Sequence, residues 1–383
     1  MKILVYRLGS LGDTLLALPC FHAMRTKFPQ AEICLLTNSQ TRNDALQMKE
    51  ILVPTGTVDE VLTYPLATRK ISIILALIRS LKKRQFDVAV HLAASRGWRT
   101  SLRDLSFLKL IGAKKIIGVP FAATDLSPTE TLQGTWEWEA ARLARRVRSL
   151  VTVNLADPAA WDLAITAEDD ARATHLLGYE EFPARKWIVA SVGTKSDTND
   201  WTEPNWLELI RSLRAKYSER GWAMIGAETE FQRSERFLNE WLGPKVNLCG
   251  RTSFRVSAAV LKKAELFVGH DSGPMHLAAT VNTRCVAIFS GRNFPGQWFP
   301  KGEGNRVFYH RTPCFGCGLE RCMDHAKKCI LSVTPHEVAD AIQEVLEKTS
   351  LNRNEESAHP PGASPLTSPS FGEVTHGLML KYD

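Results

Sequence analysis

The sequence predicts an α/β protein made of two parallel-sheet domains. Three observations lead there. The chain has 383 residues, its composition is ordinary for a globular protein (44% hydrophobic, 23% charged), and short apolar runs alternate twice with segments of helical period. At roughly 100–200 residues per domain, the length implies two domains. The composition excludes disordered, collagen-like and coiled-coil chains.

In the first half, Ile3–Tyr6 reads as a strand and Thr14–Lys27 as a helix. Glu32–Leu36, Phe86–Leu92 and Lys115–Val119 read as further strands, and Ser72–Arg84, Trp98–Ile111 and Thr135–Leu150 as helices. Asp157-Pro158 and Phe182-Pro183 interrupt the pattern, so residues 151–184 read as the interdomain connection, with one helix near Glu168–Leu177. A second alternation follows, with strands at Trp187–Val192, Trp222–Ile225, Val246–Leu248, Leu266–Val268 and Cys285–Phe289. Its helices are Pro204–Tyr217, Phe231–Leu242, Val256–Ala264, Met275–Thr280 and Pro335–Glu347. The expected units are therefore a Rossmann-like domain over residues 1–165, a second over 184–348, and a disordered tail over 349–383, which is rich in Ser, Pro and Gly. Two such sheets are expected to face a cleft, with ligands outside the carboxyl ends of the strands.

The net charge of +7, from 48 Lys and Arg against 41 Asp and Glu, is a mild basic bias. It argues for no nucleic-acid partner and suits an anionic substrate or peripheral association with the anionic inner face of a membrane. No apolar run reaches the roughly 20 residues of a membrane span. Arg7 and Asp13 interrupt the apolar N-terminus, which therefore reads as a buried strand and helix of a cytoplasmic protein rather than a signal peptide.

Three motifs carry chemistry. The first, Arg7-Leu8-Gly9-Ser10-Leu11-Gly12-Asp13, follows the first strand. Its glycines allow a tight turn and close ligand approach, with Ser10 and Gly12 as binding candidates. Asp13 has two readings, a cap of the helix or a catalytic carboxylate. The second motif, Gly269-His270-Asp271-Ser272-Gly273-Pro274-Met275-His276, runs from a strand into a helix. Asp271 or Ser272 can cap, Pro274 suits the first turn, and Gly273 lets a diphosphate approach free helix amides. His276 can donate to a phosphate or hydroxyl; the alternative is a capped helix with a half-buried histidine. The third is Cys314-x2-Cys317-x4-Cys322-x6-Cys329. Four thiolates suit one structural Zn or Fe ion, while disulfides or packed free cysteines are the alternatives. Trp136 and Trp138 with Arg142–Arg148 read either as a dock for an anionic acceptor or as a solvated helix face with its aromatics turned inward. Arg96, Arg99 and Arg103 follow a strand end and are expected to face the cleft.

The first two motifs together resemble glycosyltransferase family 9, the ADP-heptose:lipopolysaccharide heptosyltransferases, with Asp271-Ser272-Gly273-Pro274-Met275-His276-Leu277-Ala278-Ala279 the most specific stretch. The resemblance, over about residues 1–348, implies the GT-B architecture, with an acceptor-binding first domain and a nucleotide-sugar-binding second. It implies that Asp13 is the general base of an inverting transfer that requires no cofactor. The donor would be a nucleotide-diphosphate sugar, ADP-heptose, and the acceptor a lipopolysaccharide-core or related envelope saccharide. It also implies that Thr194, Lys195 and Glu230 contact the donor together with Asp271–His276; for Lys195 and Glu230 plain solvated charge is the alternative. One departure stands out: where many members carry a lysine two residues before the tryptophan matching Trp201, this chain has Asn199. The alternatives left open are another donor or a protein acceptor, an NAD-dependent oxidoreductase, and a non-catalytic nucleotide-sugar-binding protein.

Overall fold

The computed structural model describes residues 1–39, 48–65, 70–182, 185–358 and 377–382. The chain forms two compact units, Met1–Thr166 with Phe294–Trp298, and Ala167–Asn293 with Phe299–Asp383. The helix Ala167–Leu176, expected in the connection, belongs to the second unit, where Asp169 and Asp170 pair with Arg255 and Lys263. Conversely, Phe294–Trp298 leaves the second unit to complete the first. The amides of Trp136 and Glu139 donate to the carbonyls of Pro295 (2.7 Å) and Gln297 (2.9 Å), and Trp136 stacks on Phe294.

The first unit has a five-stranded parallel sheet in the order β3-β2-β1-β4-β5. Its strands are β1 Lys2–Tyr6, β2 Glu32–Ser39, β3 Glu60–Pro65, β4 Val88–His91 and β5 Lys115–Ile117. Ile3, Leu4 and Val5 are fully buried, as a central parallel strand requires. The sequence reading missed β3, whose half-exposed edge residues lack an apolar run. The helix expected from Thr135 begins at Glu139, because Trp136 is extended against Pro295.

The second unit has a seven-stranded parallel sheet in the order β12-β11-β10-β9-β6-β7-β8. Its strands are β6 Trp187–Ser191, β7 Gly221–Met224, β8 Lys245–Asn247, β9 Leu266–His270, β10 Cys285–Phe289, β11 Arg306–Arg311 and β12 Gly377–Tyr382. Its core gathers Trp201, Trp206, Trp222 and Trp241 with Ile188, Val268 and Ile288. Of the tail expected over 349–383, residues 359–376 and 383 lie outside the described residues. The last helix runs on from Pro335 to Ala358, and β12 adds a parallel edge strand to β11. Among the described residues no helix is long and apolar enough to cross a membrane.

Candidate active site

Both strand orders reverse at one point: in the first sheet β2 and β4 flank β1, and in the second β7 and β9 flank β6. Loops leaving such a switch point form the usual ligand site of an open α/β sheet. The first two motifs follow β1 and β9, on strands beside these points.

In the first unit, Gly9 has φ +150°, and a Cβ there would stand 2.7–2.8 Å from the Asp13 side chain. Only glycine lets this loop fold over the carboxylate. Oδ2 of Asp13 accepts from the Ser10 amide (2.6 Å) and hydroxyl (2.7 Å). Oδ1 lies 3.6 Å from the fully buried Arg7 guanidinium, which also donates to the carbonyls of Leu92 and Asp13. The side chain stays 19% exposed. Capping and catalysis are thus compatible: one oxygen fixes the helix start and the carboxylate still reaches solvent. The Ser10 hydroxyl is committed to Asp13, and Gly12 is buried in the first turn. Arg7 was passed over by the sequence reading. Its signal is a guanidinium directly after an apolar strand, since burying it requires partners.

The arginines of the 139–147 helix fit neither sequence reading. Arg142 is buried against Glu139, and Arg145 pairs with Glu137 and Asp125. Arg146 is buried on the carbonyls of Ala93 and Gly118 and on His91 Nδ1, and burial lowers its pKa to about 10. Trp138 stacks on Trp161. Arg142 and Arg146 with Trp138 brace the unit from within, while Arg148, just beyond the helix, is exposed. Arg96, Arg99 and Arg103 are exposed, with Arg103 on Asp104 and Arg99 over Trp98.

In the second unit, Ser272 caps the Gly273–Thr280 helix with extended backbone, Pro274 lies in the first turn, and no acidic residue occupies that turn. The Ser272 hydroxyl is buried with no hydrogen-bond partner among the described residues. A buried orphan hydroxyl at a helix start is what an anionic ligand would satisfy. Asp271 accepts from Asn293 (3.1 Å) and lies 3.7 Å from Nε2 of the buried His276. Met275 is buried in the core. The Thr194 hydroxyl turns back on Ser196 (3.1 Å), shaping the loop after β6, and Lys195 is exposed beside it.

Asn199 is a buried tie. Its side-chain amide donates to the Asp271 carbonyl (3.2 Å), and its oxygen accepts from the Ser290 hydroxyl. A cation does reach this turn, from far along the chain: Lys327 Nζ donates to the carbonyls of Asp197 (3.2 Å) and Asp200 (3.0 Å). A separation of about 130 residues leaves no local signal in the sequence.

Glu230 is no plain solvated charge. A Cβ on Gly193 would stand 1.8 Å from its Oε1, and one on Gly226 would stand 1.9 Å from its Oε2. The carboxylate therefore lies over both glycines, beyond the ends of β6 and β7. Burial pushes its pKa up, against the Ala227 amide and Arg233, which lower it. His270, buried behind the loop, accepts from the Trp201 amide (3.2 Å), and burial lowers its pKa to about 4, so the ring is neutral.

The four clustered cysteines line one cavity of about 100 Å³, together with Asp324, His325, Arg292 and Lys327. The Lys327 amide donates to Cys322 Sγ (3.4 Å), and Gly316 and Gly318 turn with φ +74° and +67°. Burial raises the Cys329 thiol pKa, and Cys314 and Cys322 raise it further. All eight cysteines are free. Among the described residues only the Glu32 and Glu60 carboxylates with the Cys34 thiol come within ligand distance of one another, the four clustered cysteines do not, and Arg84 already pairs with Glu60.

The profile of glycosyltransferase family 9 (heptosyltransferase) matches residues 74–323, well over half of the chain. The lipopolysaccharide core heptosyltransferase OpsX of Haemophilus influenzae is 22% identical over 76% of this chain and 80% of that protein. Lipooligosaccharide heptosyltransferase 2 of Campylobacter jejuni is 28% identical over a segment covering 27% of this chain and 33% of that relative. A family 9 glycosyltransferase structure from Veillonella parvula superposes with a TM-score of 0.68 at 14% identity, covering 91% of this chain and 97% of its own. The structure of E. coli ADP-heptose lps heptosyltransferase II does so with a TM-score of 0.61 at 16% identity, covering 91% of this chain and all of its own. These likenesses establish the GT-B fold, and with the matched family they identify the chain as a glycosyltransferase belonging to glycosyltransferase family 9.

Proposed function

We propose that this glycosyltransferase is an inverting heptosyltransferase that moves a heptose from ADP-heptose to a saccharide of the lipopolysaccharide core or a related envelope glycan. The first unit binds the acceptor and the second the donor. The observation that carries this reading is the Asp13 carboxylate, held by Ser10 and Arg7 at the loop after β1 yet open to solvent. Asp13 accepts the proton of the acceptor hydroxyl as that oxygen bonds to the anomeric carbon. The bond from that carbon to the diphosphate breaks on the opposite face, its electron pair leaves with ADP, and the configuration inverts. The amides of Gly273 and Met275 with the Ser272 hydroxyl stabilise the departing diphosphate, and Glu230 accepts hydrogen bonds from donor hydroxyls. Thr194 and Lys195 complete the donor loop. No cofactor takes part in the transfer, and the work is done on the cytoplasmic side of the envelope.

The test is donor selection. Thermal stabilisation by ADP and ADP-heptose, exceeding that by UDP, GDP or NAD, is expected, followed by transfer whose product shows the inverted anomeric linkage by NMR. Selective stabilisation by NAD would sink the reading in favour of an oxidoreductase.

The cysteine cavity fits a metal by the chemistry of its donors, although no three of these sulfurs stand within ligand distance of one another in this structure. Four soft sulfurs line one space, and a backbone amide already points at Cys322 Sγ, so an ion would draw the loop inward. Cys314, Cys317, Cys322 and Cys329 would hold a Zn or Fe ion, which would supply structural cross-linking rather than catalysis. The loop they lie in is bound to the donor side, since the Thr198 hydroxyl donates to the Leu319 carbonyl (2.9 Å) and the Ser196 hydroxyl to that of Glu320 (3.0 Å). Elemental analysis of purified protein is expected to find about one ion per chain and to lose it in Cys317→Ser. Metal-free wild type, prepared without chelators, ends this part of the proposal.

A further inference from the structure

The Ile71–Arg84 helix of the first unit buries only Leu81. Every residue from Ile71 to Ala76 is exposed, Ile71 at 73% and Leu75 at 43%. The Trp98–Leu110 helix, which packs against it, adds Trp98 at 58% and Leu102 at 50% exposure. A helix on a water-facing surface normally presents polar residues outward, and a group of large apolar side chains left in water marks an interaction surface.

Among the described residues, the exposed charges on these two helices and at their N-terminal ends are of one sign. Lys70, Arg79, Lys82, Lys83, Arg96, Arg99 and Lys109 are all exposed. The 71–84 helix contains no Asp or Glu, and the only carboxylate of the 98–110 helix, Asp104, is buried against His91 and Arg103. A second copy of the same face would set these cations against each other. An anionic lipid surface accepts both features, apolar side chains below the headgroups and ammonium and guanidinium groups among the phosphates.

We propose that the 71–84 and 98–110 helices dock the first unit onto an anionic bilayer, with Ile71, Ile74, Leu75 and Trp98 entering the headgroup–acyl boundary and Lys82 and Lys83 contacting lipid phosphates. This deepens the reading of an envelope glycan as acceptor, since a lipid-borne acceptor lies at such a surface, but the docking rests on exposure and charge alone.

Flotation with phosphatidylcholine vesicles, with and without phosphatidylglycerol, tests it without any acceptor. The full chain is expected to float with the anionic vesicles and to be released by salt. Ile71→Ser with Leu75→Ser, and separately Lys82→Glu with Lys83→Glu, should each cut the bound fraction about tenfold or more. Stabilisation by ADP should be unchanged in both variants, which shows that they fold and keeps this test separate from that of the donor. Wild type that ignores anionic vesicles, or variants that bind as well as wild type, overturns the proposal. So does a wild-type dimer that dissociates in the apolar variant while no form binds vesicles, because the face would then join two copies of the chain.

Discussion

Asp13→Asn is expected to lower kcat by about 10²- to 10⁴-fold, the range contributed by a positioned general base, while the donor KM stays within about twofold of wild type. The asparagine keeps nearly the same shape, and its amide oxygen can still accept from the Ser10 amide, now 2.6 Å from the carboxylate. The helix cap is thus kept while the proton acceptor is lost. Asp13→Ala removes both and should be equally inactive, with an additional stability loss of about 1 kcal/mol for the missing cap. Comparing the two separates the roles that one side chain combines. Full turnover in Asp13→Asn would leave Asp13 as a cap only. Inactivity of both, with ADP binding intact in the second unit, places the loss in the chemical step.

The second large effect is expected from a methyl group. In Gly193→Ala the new Cβ would stand 1.8 Å from Oε1 of Glu230, so the carboxylate must swing away. Gly193 lies outside the left-handed region, so alanine adds no backbone strain, and a mobile carboxylate end yields at little cost in stability. The donor contacts proposed for Glu230 should be lost with it. A hydrogen bond to a charged group contributes about 1.5–3 kcal/mol, so the donor KM should rise roughly 10- to 100-fold, as in Glu230→Ala. The combined variant should be hardly worse than either alone, because both remove the same contact. Additive losses, or wild-type donor affinity in Gly193→Ala, would detach Glu230 from the donor.

What could be read in advance follows the range of the interactions involved. Strands such as Trp187–Ser191 are apolar on both faces because parallel sheets are covered on both sides, and that pattern is local. The loops at Gly9–Asp13 and Asp271–Pro274 were equally legible, since turns and caps are set by neighbouring residues. Strands β3 and β11 were not: β3 is half exposed, and Arg306 and Arg311 bound the apolar centre of β11. Arg142 and Arg146 look like a solvated helix face until Glu139 and the Gly118 carbonyl supply their partners. The contributions of Asn199 and Lys327 to the loop after β6 depend on contacts across 72 and about 130 residues, beyond the reach of any local pattern.

The return of Phe294–Trp298 to the first unit has a consequence for synthesis. A ribosome makes the chain from its N-terminus, and domains generally fold as they emerge. Here the first 166 residues emerge without the segment that receives the amides of Trp136 and Glu139 and brings Trp298 against the cluster of Leu16, Ala140 and Trp161. The nascent first unit therefore presents an uncovered tryptophan-rich face until most of the second sheet has been translated. A release factor acting early, or a protease cutting between the units, would strand that face in water. Completion of the N-terminal fold is thereby timed by the C-terminal half.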